Sequence, residues 1–401
     1  MTSKALIKYT GIMPLETITK DVLSKAKLID YKKHANPSLY DEAERLKDPI
    51  NKARILERAG DPDLEHIAII AAQDMLSKFE SIGCGICSIN GSFYIYNRVF
   101  WQDFSRLQMQ HFITDYLKKT GIRKCVAESV TASEHLLKQF CYSLNVFPPK
   151  TEKTAAKLNA LNCTLVLKSD GSITTKEHEP SDFFFHALPY NYDADAKAPR
   201  FRQFLDQVIP GDIQLPVQEF LGTCLVTSIK HEKVLVCVGS GANGKSVLCN
   251  TVSHALGKDN VVNFNINSLC DERSTTRIML QNKLLNFSSD FSGKIWNNGI
   301  FKQLASGEPV EARRLYNDSE IMENYAKLAY NSNFLPESSD TSEGFRRRLL
   351  LVEFRHVIAP KDQDPHLSEK LQKEAPGILN WILEGLIRFI QNGYKFSKSE
   401  M

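Results

Sequence analysis

A glycine-rich stretch, CVGSGANGKSVLC, has the residue types and the spacing that bind phosphate. Gly239 and Gly244 let the backbone curl so that its N–H groups point inward at phosphate oxygens. Lys245 would reach the β- and γ-phosphates, and the Ser246 hydroxyl would ligate Mg²⁺. A chance glycine-rich turn is the alternative, but an apolar run precedes the stretch and a helical pattern ending at Gly257 follows it, which is the context that phosphate binding needs. We therefore predict a nucleoside triphosphate site formed by the glycine-rich loop, which comprises Gly239, Ser240, Gly241, Ala242, Asn243, Gly244, Lys245, Ser246 and Val247.

Two later apolar runs end in polar residues that could complete this chemistry. The run KLLNFSSD ends at Asp290, whose carboxylate would meet the Mg²⁺ or polarise the attacking water. A solvated acid at a strand end is the alternative. The run AKLAYNSNFLP ends at Asn331 and Asn333, where an amide could sense the γ-phosphate and position water. The predicted metal ligands are Ser246 and Asp290.

Three consecutive arginines, Arg346, Arg347 and Arg348, stand immediately before the apolar run LLLVEF. We call them the arginine triplet. Three arginines can simply be a solvated turn. Alternatively, one of them stabilises transition-state charge on the nucleotide of a neighbouring subunit.

The elements that must position these residues form an α/β pattern. Four short apolar runs, KVLVCVG, KLLNFSS, AKLAYNSN and RLLLVEF, alternate with helical stretches, which predicts a largely parallel sheet. Before them, the chain predicts a mixed helical and hairpin module. The stretch YNYDADAKAPRFRQFLDQVIPG, punctuated by prolines, is predicted to be a link. We place the boundary between the two modules after residue 200, so that they comprise residues 1–200 and 201–401.

The first module has three local signals. Apolar residues spaced along 64–79 predict a helix with one buried face. Asn90-Gly91 and Asp170-Gly171 predict hairpin turns. Thr131 and Glu134 have the spacing of a capping box that would open a further helix. None of these patterns forms a recognisable catalytic cluster.

The composition is that of a soluble globular protein. The chain has 401 residues, 42% hydrophobic and 24% charged, and its net charge of +3 is too balanced to indicate a nucleic-acid partner. We expect no signal peptide and no membrane span, and therefore a cytoplasmic location. The nine cysteines are scattered through apolar stretches, as reduced thiols are. Cys84 and Cys87 form a lone C-x-x-C, for which ordinary thiols are a better interpretation than zinc or redox chemistry.

The joint order of these parts resembles superfamily 3 helicases of the phage, plasmid and poxvirus primase-helicase type. The likeness covers about residues 80–395 and includes FKQLASGEPVEARRLYND, YNSNFLP, GFRRRLLLVEF and EAPGILNWILEG. It implies an AAA+ ATPase domain preceded by a collar or lead-in module. It also maps a nucleotide-sensing amide onto Asn333 and a paired-arginine element onto Arg347 and Arg348. The catalytic residues so implied are Lys245, Asp290, Asn333, Arg347 and Arg348.

The resemblance further implies a hexameric ring that hydrolyses ATP, with Mg²⁺, between subunits and translocates on single-stranded DNA at a replication fork. A primase or polymerase acting in trans is a further candidate partner. The segment after Asp290 would lead into a DNA-facing hairpin, but its tip, YNDSEI, is acidic. Lys302, Arg313 and Arg314 are therefore the candidate DNA contacts.

Two other functions remain open at this point. An ATP-dependent ring-forming loader without unwinding activity would fit a Walker B strand that ends Ser289-Asp290, where many family members carry two acids or a glutamate. A small-molecule kinase would share the glycine-rich loop, although no signature for binding an acceptor is present. ATP hydrolysis stimulated by single-stranded DNA would separate the helicase from the kinase, and measurable turnover would exclude the loader.

Overall fold

The computed structural model describes residues 11–146, 155–168, 170–289, 298–315, 319–334 and 342–398. The chain divides into two compact units. The first unit comprises residues 1–150 and 178–185, and the second comprises 151–177 and 186–401. These contact-based units divide the chain at other positions than the module boundary predicted at residue 200, which stays a prediction about functional modules.

The first unit packs helices around a three-stranded antiparallel sheet of order β1-β2-β3. The Asn90-Gly91 turn is confirmed, since both residues have positive φ between β1 and β2. The predicted helix over 64–79 is also confirmed, and Ile67, Met75 and Phe79 lie on its buried face. The elements described in this unit are α1 (Leu15–Lys25), α2 (Tyr31–Ala35), α3 (Pro37–Glu44), α4 (Pro49–Glu57), α5 (Leu64–Ser81), β1 (Gly85–Ile89), β2 (Ser92–Tyr96), β3 (Trp101–Phe104), α6 (Arg106–Lys119), α7 (Lys124–Ala127) and α8 (Val130–Ser143).

The second unit is built on a five-stranded parallel sheet of order β13-β7-β12-β9-β8, which confirms the predicted α/β class with a parallel sheet. Three further strands form a separate antiparallel sheet, β4-β5-β6, whose second turn lies at the predicted Asp170-Gly171. The strands described in this unit are β4 (Ala155–Asn159), β5 (Thr164–Lys168), β6 (Ile173–Lys176), β7 (Val234–Val238), β8 (Val261–Val262), β9 (Leu285–Ser288), β10 (Val310–Arg313), β11 (Ser319–Met322), β12 (Lys327–Ser332) and β13 (Leu349–Glu353). Its helices are α9 (Pro199–Val208), α10 (Gly211–Cys224), α11 (Lys245–Leu256), α12 (Ile266–Cys270), α13 (Asn298–Ser306), α14 (Glu343–Arg346), α15 (Leu367–Gln372) and α16 (Ala375–Gln391).

The parallel sheet is covered on both faces. Alternate residues of a strand point to opposite faces, and in β7 Leu235 and Cys237 join one core while Val234 and Val236 join the other. The first core includes residues of α9, α10, α11 and α16, and the second includes residues of α12, α13 and α14. Burial on both faces explains why these strands are continuous apolar runs without alternation.

A two-stranded antiparallel hairpin, β10–β11, follows α13 and precedes β12 in the chain. One face of the hairpin packs into the second core through Val310, Ala312 and Met322. The other face is exposed and carries Glu311 and Ile321. The hairpin that the resemblance implied therefore exists at the expected position in the chain. Of its predicted tip, YNDSEI, residues 319–321 belong to β11, and residues 316–318 lie outside the described residues.

Two expectations about local structure are wrong, and one strand was not predicted. Helix α8 begins at Val130 and is capped by Ser129, whose side chain accepts a hydrogen bond from the Ala132 amide, so Thr131 is not the cap. The predicted link over 190–211 contains α9, whose Phe201 and Phe204 are buried in the core. Strand β8 was not predicted, since two residues carry no periodicity.

The part of the chain that the structure describes contains no helix long and apolar enough to cross a membrane.

Candidate nucleotide-binding site

The glycine-rich loop connects β7 to α11 through an unusual backbone. Gly241, Ala242 and Gly244 have φ values of +110°, +48° and +89°. Such left-handed residues turn successive N–H groups toward a common centre, a geometry that binds anions. Helix α11 then begins at Lys245, so its unpaired N-terminal amides lie at the same place.

Two glycines of the loop are required by close packing. A Cβ atom on Gly239 would lie 2.1 Å from Asn243 Nδ2 and 2.7 Å from the Phe354 carbonyl oxygen. On Gly244, which also has positive φ, it would lie 3.0 Å from a Val208 methyl group. Asn243 Nδ2 also donates to the Phe354 carbonyl oxygen at 3.2 Å. The loop is thus held from β13 on one side and from α9 on the other.

Lys245 is the cation of this loop. It is 7% exposed, and its Nζ donates to the Gly239 carbonyl oxygen at 2.5 Å and to Asn243 Oδ1 at 3.1 Å. Burial lowers the pKa of its ammonium group. Among the described residues no carboxylate forms an ion pair with it. A buried cation with only neutral partners is costly, and an anion supplied by a ligand would offset that cost.

The loop opens onto a cavity of about 970 Å³, which is large enough for a nucleotide. Ser246 is exposed there, with its hydroxyl available to a ligand or a metal ion. Asn333 lines the same cavity from the end of β12. The structure thus brings together the predicted residues 241–247 and Asn333.

Two walls of this cavity were missed by sequence reasoning. Arg200, Gln203, Phe204 and Gln207 line it from one face of α9. These residues are spaced by three and four and follow Pro199 at the helix start, a pattern that indicates a helix and not a link. The opposite wall is the segment 358–370, which approaches the loop because the Ile358 amide donates to the Ala242 carbonyl oxygen at 2.9 Å. No local pattern could have revealed that contact.

The two asparagines at the end of β12 differ in position, since Asn331 lies in the strand and Asn333 follows it. Asn333 is exposed at the cavity, whereas Asn331 is 5% exposed and pairs in register with Cys237 of β7. Its Oδ1 has no hydrogen-bond partner among the residues that the structure describes. Of the two, Asn333 is therefore the one that a nucleotide in the cavity could contact directly.

Asp290, the predicted metal ligand and catalytic acid, lies outside the described residues. Strand β9 ends at Ser288, which pairs in parallel with Tyr330 of β12, so this strand and the loop-bearing strand end at the same edge of the sheet. Within the described ranges no group of three histidines, cysteines or acids could hold a metal ion. Ser246 is the predicted Mg²⁺ ligand that the structure does describe.

The arginine triplet lies at the opposite edge of the sheet. Leu349, which follows it, pairs with Val234 at the start of β7, while the loop leaves the other end of that strand after Val238. The length of β7 alone separates them by about 16 Å, at about 3.3 Å per residue. The arginines therefore lie far from the loop of their own chain.

The members of the triplet have different environments. Arg346 is exposed. The Arg347 side chain is 56% exposed and forms an ion pair with Glu232 at 2.8 Å. Arg348 is only 8% exposed, so the alternative of a solvated turn does not describe this residue.

The candidate DNA contacts cluster around the hairpin. Arg313 is exposed at the last residue of β10, and Arg314, which follows it, is half-buried. Lys302 is half-buried on α13. The base of the hairpin is fixed by Arg277, whose buried guanidinium donates to the carbonyl oxygens of Glu311, at 2.6 Å, and Leu269, at 2.8 Å.

The paired cysteines of the first unit are buried. Cys84 lies just before β1 and Cys87 within it, and both are free thiols. Burial raises the pKa of the Cys87 thiol to about 12, so it is protonated at neutral pH.

Comparisons with known proteins match both halves of the chain. The family described as "D5 N terminal like" matches residues 51–210, and a "Family of unknown function (DUF5906)" matches residues 237–348. The "Putative helicase L207/L206" of Acanthamoeba polyphaga mimivirus is 25% identical over 243 residues, which cover 53% of this chain and 25% of that protein. The "Putative primase C962R" of African swine fever virus (strain Badajoz 1971 Vero-adapted) is 26% identical over 235 residues, which cover 49% of this chain and 24% of that protein.

The fold itself is similar to that of solved structures. The A form apo structure of the NrS-1 C terminal region matches with a TM-score of 0.50 at 12% identity, over 84% of this chain and 76% of that chain. A second structure of that region, residues 305–718, matches with a TM-score of 0.51 over 82% of this chain and 75% of that chain. The match to the two viral relatives thus spans about a quarter of their length, whereas the fold match spans most of this chain.

Proposed function

We propose that this chain, which belongs to the primase-helicase family of phages and viruses, is an ATP-hydrolysing motor of DNA replication that translocates on single-stranded DNA. Its second unit acts as an AAA+ ATPase domain with a glycine-rich phosphate loop. ATP binds with Mg²⁺ at subunit interfaces of a ring, and hydrolysis moves the β10–β11 hairpin. Residues 1–200 serve as a collar or lead-in module.

The geometry of Lys245 is the observation that carries this proposal. Its ammonium group is buried among neutral oxygens at the mouth of a nucleotide-sized cavity, between amides of the loop and the start of α11. Triphosphate oxygens would satisfy the ammonium group and the loop amides together. The strand order β13-β7-β12-β9-β8 supports the AAA+ assignment, because it brings the ends of β7, β12 and β9 side by side at this cavity.

The walls of the cavity supply the rest of a nucleotide site. The Phe204 ring and Ile358 offer apolar surface for a base, and Gln207 and Gln363 offer amides for its edge. Arg200 is exposed at the same cavity and would face the phosphates or the ribose. Asn333 would orient water near the γ-phosphate, and Ser246 with Asp290 would hold Mg²⁺, which neutralises phosphate charge when bound.

The position of the arginine triplet supports action between subunits. At about 16 Å from the loop, measured along β7, these side chains are too far away for their own nucleotide. A ring places the exposed edge of one subunit against the cavity of the next. Arg347, whose side chain is 56% exposed, would then complete the site of its neighbour.

Phosphate release measured with and without single-stranded DNA tests this function. We expect Mg²⁺-dependent ATP hydrolysis that single-stranded DNA stimulates, and we expect Lys245→Ala to reduce it to background, because the variant loses the cation at the β- and γ-phosphates. Lys258→Ala, which removes an exposed lysine just after α11, is the matched control and should hydrolyse ATP normally.

Two results would contradict the proposal. Wild-type turnover by Lys245→Ala would exclude the glycine-rich loop as the catalytic site. Hydrolysis that single-stranded DNA does not change would favour a small-molecule kinase over a motor.

A further inference from the structure

Arg348 differs from the other arginines of the triplet in what its donors contact. Its Nη1 donates to the Gly344 carbonyl oxygen of α14 at 2.6 Å, four residues earlier in the chain. Its Nε and Nη2 reach Ser306 Oγ at 3.3 and 3.1 Å, and Nη2 also lies 3.8 Å from a Glu232 carboxylate oxygen. Nine-tenths of the side chain is buried. To reach another subunit, this guanidinium would have to abandon these contacts.

Ser306 is the last residue of α13 and stands next to the hairpin. Gly307 follows with a φ of +67°, and β10 begins at Val310. Arg348 therefore contacts the point where the chain turns from helix α13 into the proposed DNA-facing element. The same two regions also share an apolar contact, since the rings of Phe301 in α13 and Phe345 in α14 lie 5.1 Å apart.

The other strand of the hairpin is fixed to the same helix end. Tyr325 lies between β11 and β12, and its hydroxyl is 3.1 Å from the Gln303 carbonyl oxygen and 2.9 Å from that of Glu308. The tyrosine is buried. Both ends of the hairpin are thus tied to the C-terminal end of α13, and Arg348 joins that helix end to the arginine triplet.

We propose that Arg348 is a positioning residue that links the arginine triplet to the base of the hairpin, so that a movement at the subunit edge is transmitted to the DNA-facing element. Arg348 touches no nucleotide in this role, whereas Arg347, which is exposed and paired with Glu232, would exchange that ion pair for the neighbouring nucleotide. This inference rests on the proposed function, but the link itself can be tested without any ATP hydrolysis.

Hydrogen exchange of the hairpin amides tests the link directly. We expect Arg348→Met to accelerate exchange in 310–313 and 319–322 at least about fivefold, because the base of the hairpin loses its support. Ser306→Ala removes only the acceptor on the hairpin side and should accelerate the same amides to a smaller extent. Arg347→Ala is the matched control and should leave hairpin exchange unchanged. Thermal melting of each variant separates a local effect from general unfolding.

ATP hydrolysis provides a second, independent readout. Ser306→Ala should keep basal turnover within about twofold while its stimulation by single-stranded DNA falls several-fold, because coupling is lost and the site is intact. Arg348→Met should show at least the same loss of stimulation, since it removes the guanidinium that links the two elements.

The outcomes distinguish this inference from the proposed function. Unchanged hairpin exchange in both Arg348→Met and Ser306→Ala would overturn the link, and so would stimulation by single-stranded DNA that neither substitution changes. If the wild-type chain does not hydrolyse ATP, the proposed function fails, while the exchange measurements still decide whether Arg348 supports the hairpin.

Discussion

At the scale of single residues, the second unit contains buried cations whose hydrogen-bond partners are neutral oxygens. Lys245 contacts Gly239 and Asn243, Arg277 contacts Leu269, and Lys327 donates to the Ile229 carbonyl oxygen at 2.5 Å. Burying a charge without an opposite charge costs free energy. Of these cations, Lys245 lines the cavity, so it is the one for which a ligand can offset the cost.

Lys327 offers a prediction about pH. Burial lowers its pKa to about 8, with Cys224 and Lys230 as its charged or titratable neighbours. In the unfolded state Lys327 has its ordinary pKa, near 10.5. Between pH 8 and 10.5 the unfolded state therefore binds more protons at this lysine than the folded state does, so the contribution of Lys327 to the free energy of unfolding rises across that window. The full change is on the order of 3 kcal/mol. Below pH 8 the free-energy cost of burying the charged ammonium group of Lys327 is fully present.

Lys327→Met removes this titration and keeps the length of the side chain. We expect the free energy of unfolding of the wild type, minus that of the variant, to increase from pH 8 to pH 10 in urea denaturation. The subtraction cancels the titration of groups that do not interact with Lys327. His231 and Cys224 do interact with it, but in the folded state burial moves the pKa of His231 well below this window and raises that of Cys224 to about 12. A difference that does not depend on pH would show that Lys327 has an ordinary pKa in the folded state.

At the scale of elements, parallel pairing is what assembles the site. Strands β7, β12 and β9 run in the same direction, so the glycine-rich loop and Asn333 emerge at one edge of the sheet. The arginine triplet enters β13 at the other edge. The hairpin leaves the same sheet between β9 and β12, and its exposed face carries Arg313 and Ile321. The candidate nucleotide contacts and the candidate DNA contacts thus belong to different elements, so mutations can test them separately.

At this scale we predict the effect of charge reversal in the hairpin on DNA binding. Charge reversal at Arg313 and Arg314 should weaken binding of single-stranded DNA about tenfold or more at low salt, because the backbone phosphates lose their cations. The affinity for ATP should not change. Fluorescence anisotropy with a labelled oligonucleotide at several salt concentrations measures both the affinity and its salt dependence, and Lys258→Glu is the control for total charge.

Sequence preference and salt dependence provide the decisive comparison. Wild-type binding should be indifferent to base sequence and should weaken as salt rises. Equal binding by the wild type and the double variant, or binding that salt does not affect, would place the DNA contact elsewhere.

At the scale of the whole molecule, the proposed ring follows from an incomplete site. Within one chain the cavity supplies Lys245, Ser246 and Asn333, whereas Arg347 lies at the far edge of the sheet. A second copy can bring that arginine to the nucleotide. An arginine acting across an interface typically contributes about 10³-fold or more to turnover.

Mixing two inactive variants tests the ring. Arg347→Ala keeps its own loop and should bind ATP without turnover, and Lys245→Ala keeps its arginine. We expect partial recovery of phosphate release when the two are mixed under conditions that allow subunit exchange, because some interfaces then pair an intact loop with an intact arginine. Near-normal activity of Arg347→Ala alone would make the triplet a solvated turn, and an inactive variant that no mixture rescues would indicate action within one chain.

The sequence by itself determined the features that depend on neighbours along the chain. The glycine-rich loop is encoded by the spacing of Gly239, Gly244 and Lys245, because φ preference and close backbone packing are local properties. The same holds for α11, which ends at Gly257, and for the hairpin turn at Asn90-Gly91. Four strands of the parallel sheet were predictable because strands buried on both faces are continuous apolar runs.

Only the tertiary structure decided which distant segments meet. Helix α9 and the segment 358–370 line the cavity because the apolar faces of α9 and α16 pack on the same core, a contact that no local pattern records. Likewise, three consecutive arginines are indistinguishable by composition, yet Arg347 is exposed and Arg348 is buried against Ser306. Burial and partners across the fold, which depend on packing and not on residue type, set the role that each guanidinium can take.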